Sequence, residues 1–249
     1  MVHVPTAGSP ETAAVRSMFD RIAPRYDLLN RLLSAGIDTR WRRAAAEALG
    51  PQGEAARILD LCTGTGDLLV EALGRGARRR GVGIDLSEQM LARGTRKLEQ
   101  RGLSARAALA VGDGERLPLR HALFDGALVA FGIRNIGRAG DALRELHRVL
   151  SPGGRLVILE FSMPRGALGS LYRLYFGHVL PRIGGVISGD ASAYAYLPAS
   201  VERFCRPEEL GGLMREAGFE GVAWRPLTGG IAYLHQGVKP AAREGRRAA

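Results

Sequence analysis

Two polar residues, Arg134 and Asn135, come directly after the apolar stretch at 124–133. A cation and an amide at the end of an apolar strand either cost desolvation free energy or hold a polar group. In one interpretation that group is a bound ligand. In the other, Arg134 pairs with an acidic residue and Asn135 caps a loop. The pattern alone leaves both interpretations open.

A pair of glycines, Gly64 and Gly66, lies in the segment LDLCTGTGDLL, where a short apolar run gives way to helical spacing. Glycine has no Cβ, so the backbone can approach a ligand closely there. The dinucleotide fingerprint places a third glycine three residues after the second, and that position is Leu69. The sequence therefore predicts a strand-to-helix turn that approaches a ligand but does not cradle a pyrophosphate.

Acidic residues follow the next two apolar runs. Asp85 lies about 20 residues after the glycine turn, where a carboxylate can accept hydrogen bonds from a ribose diol. Helix capping is the alternative role at that point, but Ser87, directly before Glu88, suits it better. Asp113 and Gly114 follow the third run. They are placed to meet an adenine edge, unless they form an ordinary Asp-Gly turn.

These residues need a scaffold that brings strand ends together, and the remaining pattern provides one. Apolar runs alternate with segments of helical spacing, which is typical of βαβ units and a parallel sheet covered on both faces. Strands are predicted at 57–64, 81–87, 105–113, 124–132 and 155–161, and helices at 67–76, 88–102 and 141–154. A helix is predicted at 207–219. Two strands that run antiparallel to each other, at 221–230 and 231–239, complete the pattern.

The predicted fold class is α/β, with a doubly wound, mostly parallel seven-stranded sheet that has one antiparallel strand. Ligands of such sheets bind beyond the carboxyl ends of the strands. We therefore expect the clusters at 63–66, 85, 113–114 and 134–135 to converge on one crevice. A nucleoside bound there without a pyrophosphate points to S-adenosylmethionine as the cofactor.

Composition narrows the class of protein. The chain has 249 residues and a formal net charge of +10, but Lys97 and Lys239 are its only lysines. The arginines are scattered, so the charge indicates a compositional bias and no nucleic-acid partner is expected. Two distant cysteines, Cys62 and Cys205, predict neither a metal site nor a disulfide framework. We expect a cytoplasmic protein, because the sequence shows no secretory signal and no apolar run of roughly 17–25 residues.

Longer segments resemble one enzyme family. The segments at 58–67, 83–91, 112–119 and 148–161 are similar to the successive motifs of class I methyltransferases, which use S-adenosylmethionine. The segments at 18–43, 131–135, 178–204 and 227–239 look like the C-methyltransferases of ubiquinone and menaquinone biosynthesis. The resemblance covers roughly residues 15 to 239. The first and last of the family-like segments are specific to that family, whereas the glycine turn alone is not.

The resemblance implies a reaction and the residues that carry it. A methyl group passes from S-adenosylmethionine to a ring carbon of a prenylated quinol, with demethylmenaquinol as the first choice. The implied cofactor contacts are Thr65, Asp85, Asp113 and Gly114, beside the turn glycines Gly64 and Gly66. Arg134, Asn135 and Tyr26 are implied to face the quinol. There Arg134 stabilises a phenolate or orients the group that takes its proton. No metal is implied.

The chain is predicted to form one domain over 1–249, in which two segments cover the crevice. The segment at about 15–45 predicts a helix–turn–helix around Gly36, and an insertion spans about 162–205. Candidates to line a prenyl channel, or alternatively to pack in the core, are Tyr172, Tyr175, Phe176, Tyr194 and Tyr196. Peripheral contact with the inner face of an anionic membrane is expected from the net positive charge. A homodimer is compatible with the sequence.

Three other functions fit parts of the sequence. They are C-methylation of a ubiquinone-pathway benzoquinol, methyl transfer to another small molecule such as a sterol or polyketide, and a scaffold role without catalysis. The family-specific segments argue against other small molecules, and intact Asp85, Arg134 and Asn135 argue against a scaffold. No Asn/Asp-Pro-Pro-aromatic motif follows the fourth strand, which argues against a nucleic-acid methyltransferase.

Overall fold

The computed structural model of the chain describes residues 10–34, 36–50, 53, 55–164, 166, 169, 172, 174 and 191–241. Its helices are α1 (Pro10–Ile22), α2 (Tyr26–Leu33), α3 (Ile37–Ala48), α4 (Asp67–Leu73), α5 (Glu88–Gln100), α6 (Ala139–Val149), α7 (Ala191–Arg203) and α8 (Pro207–Glu216). Its strands are β1 (Arg57–Leu61), β2 (Arg80–Asp85), β3 (Ala107–Val111), β4 (Phe124–Ala130), β5 (Leu150–Phe161), β6 (Glu220–Leu227) and β7 (Ala232–Val238). Within these described residues, no helix has the length and apolar character to cross a membrane.

The strands form a seven-stranded sheet in the order β3-β2-β1-β4-β5-β7-β6. Neighbouring strands from β3 to β5 are parallel, whereas β7 runs antiparallel to both β5 and β6. Near the centre, Leu59 of β1 lies opposite Val82 on one side and Ala127 on the other. The predicted fold class is confirmed.

Two apolar layers cover the sheet, because successive residues of a strand point to opposite faces. Leu59 packs with Phe124 in a layer that includes residues of α6 and α8. Its neighbour Ile58 packs with Leu128 and Trp41 in a layer that includes residues of α3 and α4. Strands covered on both faces are apolar at most positions, which is why β1, β4 and the second half of β5 are mostly apolar in the sequence.

The N-terminal segment contains one more break than the predicted helix–turn–helix. The turn at Gly36 is confirmed, since Gly36 has a φ of 75° and directly precedes α3. The helical stretch before it divides into α1 and α2 at the 3-10 turn Ala23–Arg25. Pro24 lies in this turn and lacks the N–H group that a continuous helix needs. The break places Tyr26 at the start of α2.

The helix before β5 ends earlier than the predicted limit of 154. α6 ends at Val149, and β5 begins at Leu150. Pro152 has no N–H group to donate, and it disfavours a helical conformation at the residue before it. Leu150 is fully buried in the apolar layer that it shares with α6. The core contact at Leu150 therefore sets the start of the strand.

The insertion at 162–205 is described in part, and its last stretch forms α7. Tyr175, Phe176 and the side chain of Tyr194 lie outside the described residues. Tyr172 is half-buried, and Tyr196 contacts Asn135, which follows β4, as described below. The prenyl channel and the division into a domain with two covering segments stay predictions.

Several basic side chains bind the ends of helices. These helix ends lie at the edge of the sheet where the parallel strands begin. Arg155 donates to the carbonyl of Ala48 in the last turn of α3 (3.0 Å). Arg106 donates to backbone carbonyls at the end of α4, and Lys239 donates to two carbonyls at the end of α6. The last carbonyls of a helix lack partners within it and form the negative end of its dipole. These cations therefore stabilise helix ends.

Candidate active site

A cavity lies beyond the carboxyl ends of β1, β2 and β4, and residues of α1 and α2 line part of it. The space inside it, together with the part of its mouth that is open to solvent, is about 800 Å³. The candidate residues that line it are Tyr26, Gly64, Asp85, Asp113, Gly114 and Asn135. Thr65, Gly66 and Arg134 are not among the described residues that line it. The structure thus brings six of the nine candidates together.

Asp85 ends β2 and holds the glycine turn. Its Oδ2 accepts a hydrogen bond from the Gly64 N–H (2.8 Å), and its Oδ1 accepts one from the Ser87 N–H (2.9 Å). Burial raises the pKa of the Asp85 carboxyl against the effect of these donors, and nearby Asp20 adds to the rise. Each carboxylate oxygen has two lone pairs, so Asp85 keeps acceptor capacity for a ligand in the cavity. Capping of α5 belongs to Ser87, whose Oγ accepts from the Met90 N–H (3.1 Å).

The turn between β1 and α4 depends on its glycines. Gly64 and Gly66 have φ values of 56° and 79°, in the left-handed region that favours glycine. A Cβ added at Gly64 would meet no atom within 4 Å, so the space over this backbone is open. The turn can therefore offer bare backbone to a ligand at Gly64, whereas Gly66 serves the geometry of the turn.

Thr65 turns away from the cavity. Its hydroxyl donates to Asp27 Oδ1 in α2 (2.6 Å) and accepts from Lys97 Nζ in α5 (2.9 Å). Lys97 also forms ion pairs with Asp27 (2.7 Å) and with Asp67. The side chain of Thr65 therefore links the turn to the two helices, and a cofactor contact through this hydroxyl is not the geometry observed.

A second buried carboxyl, Asp60, lies in β1 beneath the same turn. Burial raises its pKa to about 7, and the negative charge of Asp85 adds to the rise. The Thr63 hydroxyl donates to Asp60 Oδ2 (2.6 Å) and opposes it. Two carboxyls thus brace the turn, Asp60 through Thr63 and Asp85 through Gly64.

Two non-glycine residues beside the turn adopt left-handed backbone conformations. Cys62 (φ 57°) follows β1, Phe131 (φ 56°) follows β4, and both line the cavity. Such conformations cost about 1–3 kcal/mol each and persist where the surrounding structure enforces them. Gly132 is the point of contact, since a Cβ added there would lie 2.2 Å from the Cβ of Cys62. The two strand ends meet only because residue 132 is glycine.

A Gly132→Ala variant is expected to lose about 1–3 kcal/mol of unfolding free energy, the usual range for overpacking. The clashing atom of Cys62 is its Cβ, which cannot rotate away. Denaturant unfolding checks this against a Gly212→Ala control, because a Cβ at Gly212 in α8 would meet nothing within 4 Å. Wild-type stability in Gly132→Ala would show that the strand ends separate without a penalty.

Asp113 and Gly114 form the loop after β3. Asp113 Oδ1 accepts from the Glu115 N–H (2.9 Å), so the Asp-Gly turn is present while both residues line the cavity. A Cβ added at Gly114 would lie 2.8 Å from Cδ1 of Ile136. A larger residue at 114 therefore requires Ile136 to shift, and glycine keeps this part of the wall close to the loop.

Arg134 lies behind the cavity wall in a buried ion pair. Its Nη1 is 2.7 Å from Glu160 Oε1 at the end of β5, and the two side chains are 5% and 2% exposed. The guanidinium also donates to the Phe131 carbonyl and to Ser200 Oγ (3.3 Å), and it lies over the Phe161 ring. The structure thus matches the interpretation in which Arg134 pairs with an acidic residue. These contacts join the ends of β4 and β5 to α7.

Asn135 and Tyr26 are polar groups of the cavity wall. Asn135 Oδ1 accepts from the hydroxyl of Tyr196 in α7 (3.0 Å). The ring of Tyr26 packs edge-to-face on Phe19 of α1, with centroids 6.2 Å apart. Burial raises the pKa of Tyr26, so its hydroxyl stays protonated at neutral pH. Tyr26 is therefore suited to donate a hydrogen bond.

Glu160, Lys97 and Asp27 are among the residues that shape the site but are missing from the sequence-based predictions. The sequence could have indicated Glu160, because it is a charged residue near the end of an apolar run. Arg134 was identified from the same pattern. The indication for Lys97 was weaker: it is one of only two lysines among the 35 lysine and arginine residues. Asp27 meets Thr65 across 38 positions, and no local pattern indicates that contact.

A solved structure supports the fold. A SAM-dependent methyltransferase from Thermotoga maritima superposes with a TM-score of 0.63, covering 90% of this chain and 98% of that one. The two sequences are 22% identical. At this identity the likeness supports the class I methyltransferase fold alone, since one fold carries many activities.

Sequence relatives are much closer. The demethylmenaquinone methyltransferase of Thermus thermophilus is 51% identical over 224 residues, which cover 90% of this chain and 100% of that protein. The ubiquinone/menaquinone biosynthesis C-methyltransferase UbiE of Syntrophotalea carbinolica is 52% identical over 225 residues, covering 90% and 93%. The profile of the ubiE/COQ5 methyltransferase family matches residues 7–239. The chain therefore belongs to the ubiE/COQ5 methyltransferase family of S-adenosylmethionine-dependent C-methyltransferases, as its motifs predict.

Proposed function

We propose that this enzyme transfers a methyl group from S-adenosylmethionine to a ring carbon of demethylmenaquinol in menaquinone biosynthesis. The observation that carries the proposal is its 51% identity to a demethylmenaquinone methyltransferase across that protein's full length. The cavity is consistent with it, because four residues predicted for the cofactor side and two predicted for the acceptor side line one space.

The residues of the cavity fit S-adenosylmethionine, which supplies an electrophilic methyl group. Asp85 offers acceptor oxygens for the ribose hydroxyls, although each oxygen already accepts one backbone N–H. Gly64 offers open backbone, and Asp113 with Gly114 suits the adenine edge. We assign these four residues to the cofactor, with Thr65 and Gly66 shaping the turn.

The acceptor side needs hydrogen-bond donors. Methyl transfer to carbon requires an electron-rich ring, and a hydroquinone is more nucleophilic as its phenolate. Donors that are already in place where the negative charge develops stabilise it strongly. The Tyr26 hydroxyl and the amide of Asn135 are such donors on the cavity wall. We assign both to the phenolate oxygen of the acceptor.

We assign Arg134 to the support of this wall. Its charge is balanced by Glu160 at 2.7 Å, and its remaining donors hold the Phe131 carbonyl and Ser200. A balanced, buried pair exerts a weaker field on the acceptor than a free cation would. Arg134 therefore keeps Asn135 in place, and direct contact with the phenolate is the alternative that the variants discussed below test.

Methyl transfer from methyl-labelled S-adenosylmethionine tests the proposal. Label is expected in the quinol after incubation with demethylmenaquinol, followed by mass spectrometry. A ubiquinone-pathway benzoquinol is the second acceptor to try, since the UbiE relative is named for both pathways. Transfer only to the benzoquinol would move the enzyme to that pathway. Cofactor binding without transfer to any acceptor would indicate a non-catalytic protein.

Reversible binding to anionic membranes is expected. The proposed acceptor carries an isoprenoid tail and resides in the bilayer, and the chain has a formal net charge of +10. Each Lys or Arg near an anionic surface adds about 1 kcal/mol of attraction, and salt screens it. Sedimentation with anionic vesicles should show binding at low salt and release at high salt, with neutral vesicles as the control. No binding at low salt, with or without acceptor, would contradict this expectation.

A further inference from the structure

One face of α7 contacts both polar residues that follow β4. Tyr196 and Ser200 are four positions apart, so they lie on the same face of the helix, one turn apart. The Tyr196 hydroxyl is 3.0 Å from Oδ1 of Asn135, and Ser200 Oγ accepts from Nε of Arg134 (3.3 Å). The helix is thereby fastened to the wall of the cavity.

The contact from Tyr196 determines which end of the Asn135 amide is available. An amide has one acceptor oxygen and an NH2 group with two donors. Burial raises the pKa of Tyr196, so its hydroxyl keeps its proton at neutral pH and donates to the amide oxygen. The bond holds the amide oxygen toward Tyr196, and the NH2 group is the part of the amide that can donate to a ligand in the cavity.

We propose that Tyr196 is a positioning residue for methyl transfer, whose hydroxyl orients the Asn135 amide so that its NH2 group donates to the phenolate oxygen of the acceptor. This inference rests on the proposed function. Tyr196 is not among the described residues that line the cavity, so it acts through Asn135. An amide without this anchor can turn its oxygen toward the phenolate, which repels the developing charge.

Tyr196→Phe removes only the hydroxyl and tests the inference. We expect kcat to fall about tenfold, less than the 10²–10³ lost with a whole preorganised donor. The affinity for S-adenosylhomocysteine, measured by calorimetry, should not change. The deficit in kcat should shrink as the pH rises, because more of the quinol ionises without help. Tyr233→Phe is the matched control, since Tyr233 in β7 is also not among the described residues of the cavity.

A double-mutant cycle separates orientation from packing. In an Asn135→Ala background, Tyr196→Phe should have no further effect on kcat, because both changes act through the same amide. Losses that multiply would overturn the inference, as would a Tyr196→Phe enzyme that melts earlier but keeps full kcat per folded molecule. The assays use whichever quinol the wild-type enzyme methylates. If the proposed acceptor is wrong, the wild-type enzyme shows it. If the role of Tyr196 is wrong, only the variants show it.

Discussion

Arg134→Ala is expected to lower the free energy of unfolding by about 3–5 kcal/mol, the range for breaking a buried ion pair. The carboxylate of Glu160, with a side chain only 2% exposed, would stay buried without its cation. The variant also loses the guanidinium contacts to the Phe131 carbonyl and to Ser200. Denaturant unfolding measures the loss. Wild-type stability would show that the pair does not hold the strand ends.

A double variant separates this support from a direct role in catalysis. Arg134→Met with Glu160→Gln removes both charges and keeps an amide oxygen to accept from the Phe161 N–H, which now bonds Glu160 (2.8 Å). We expect most of the stability and most of the turnover to return, because Asn135 and Tyr26 remain. A stable double variant with kcat lower by a factor on the order of 10²–10³ would show that the charge of Arg134 acts on the phenolate itself.

Asp85→Ala is expected to weaken the binding of S-adenosylhomocysteine by at least about tenfold, because a hydrogen bond to a charged acceptor contributes roughly 1.5–3 kcal/mol. The ribose offers two hydroxyls to this carboxylate. The N–H groups of Gly64 and Ser87 would lose their acceptor as well, which loosens the turn that lines the cavity. Calorimetry on the purified variant measures the dissociation constant directly.

The matched control for this variant is Asp125→Ala. Asp125 lies at the start of β4 and accepts from the Arg57 N–H (2.8 Å), so it is at the opposite edge of the sheet from the cavity. Its loss should leave the affinity for S-adenosylhomocysteine unchanged. An unchanged dissociation constant in Asp85→Ala would remove the ribose assignment, and an equal loss in both variants would indicate general destabilisation.

The scaffold and the edge at which the site lies follow from the sequence alone. Strands buried on both faces are mostly apolar in the sequence, so they can be recognised there. The polar residues at their carboxyl ends directly follow these apolar runs. Gly64, Asp85 and Asn135, which line one cavity, are therefore predicted by the sequence to share a crevice. The sequence determines the ends of helices and strands less well. The helix α6 ends at Val149, because β5 begins where Leu150 packs into the core.

The partner of each polar side chain was decided only by the tertiary structure. Arg134 reaches Glu160 across 26 positions, Thr65 reaches Asp27 across 38, and Asn135 reaches Tyr196 across 61. The sequence marks Arg134 as a buried cation in need of a partner, but a ligand and a carboxylate meet that need equally well. Which one is present depends on how β5 and α7 pack beside β4. Packing between distant segments depends on the whole core, and no local pattern of residues encodes it.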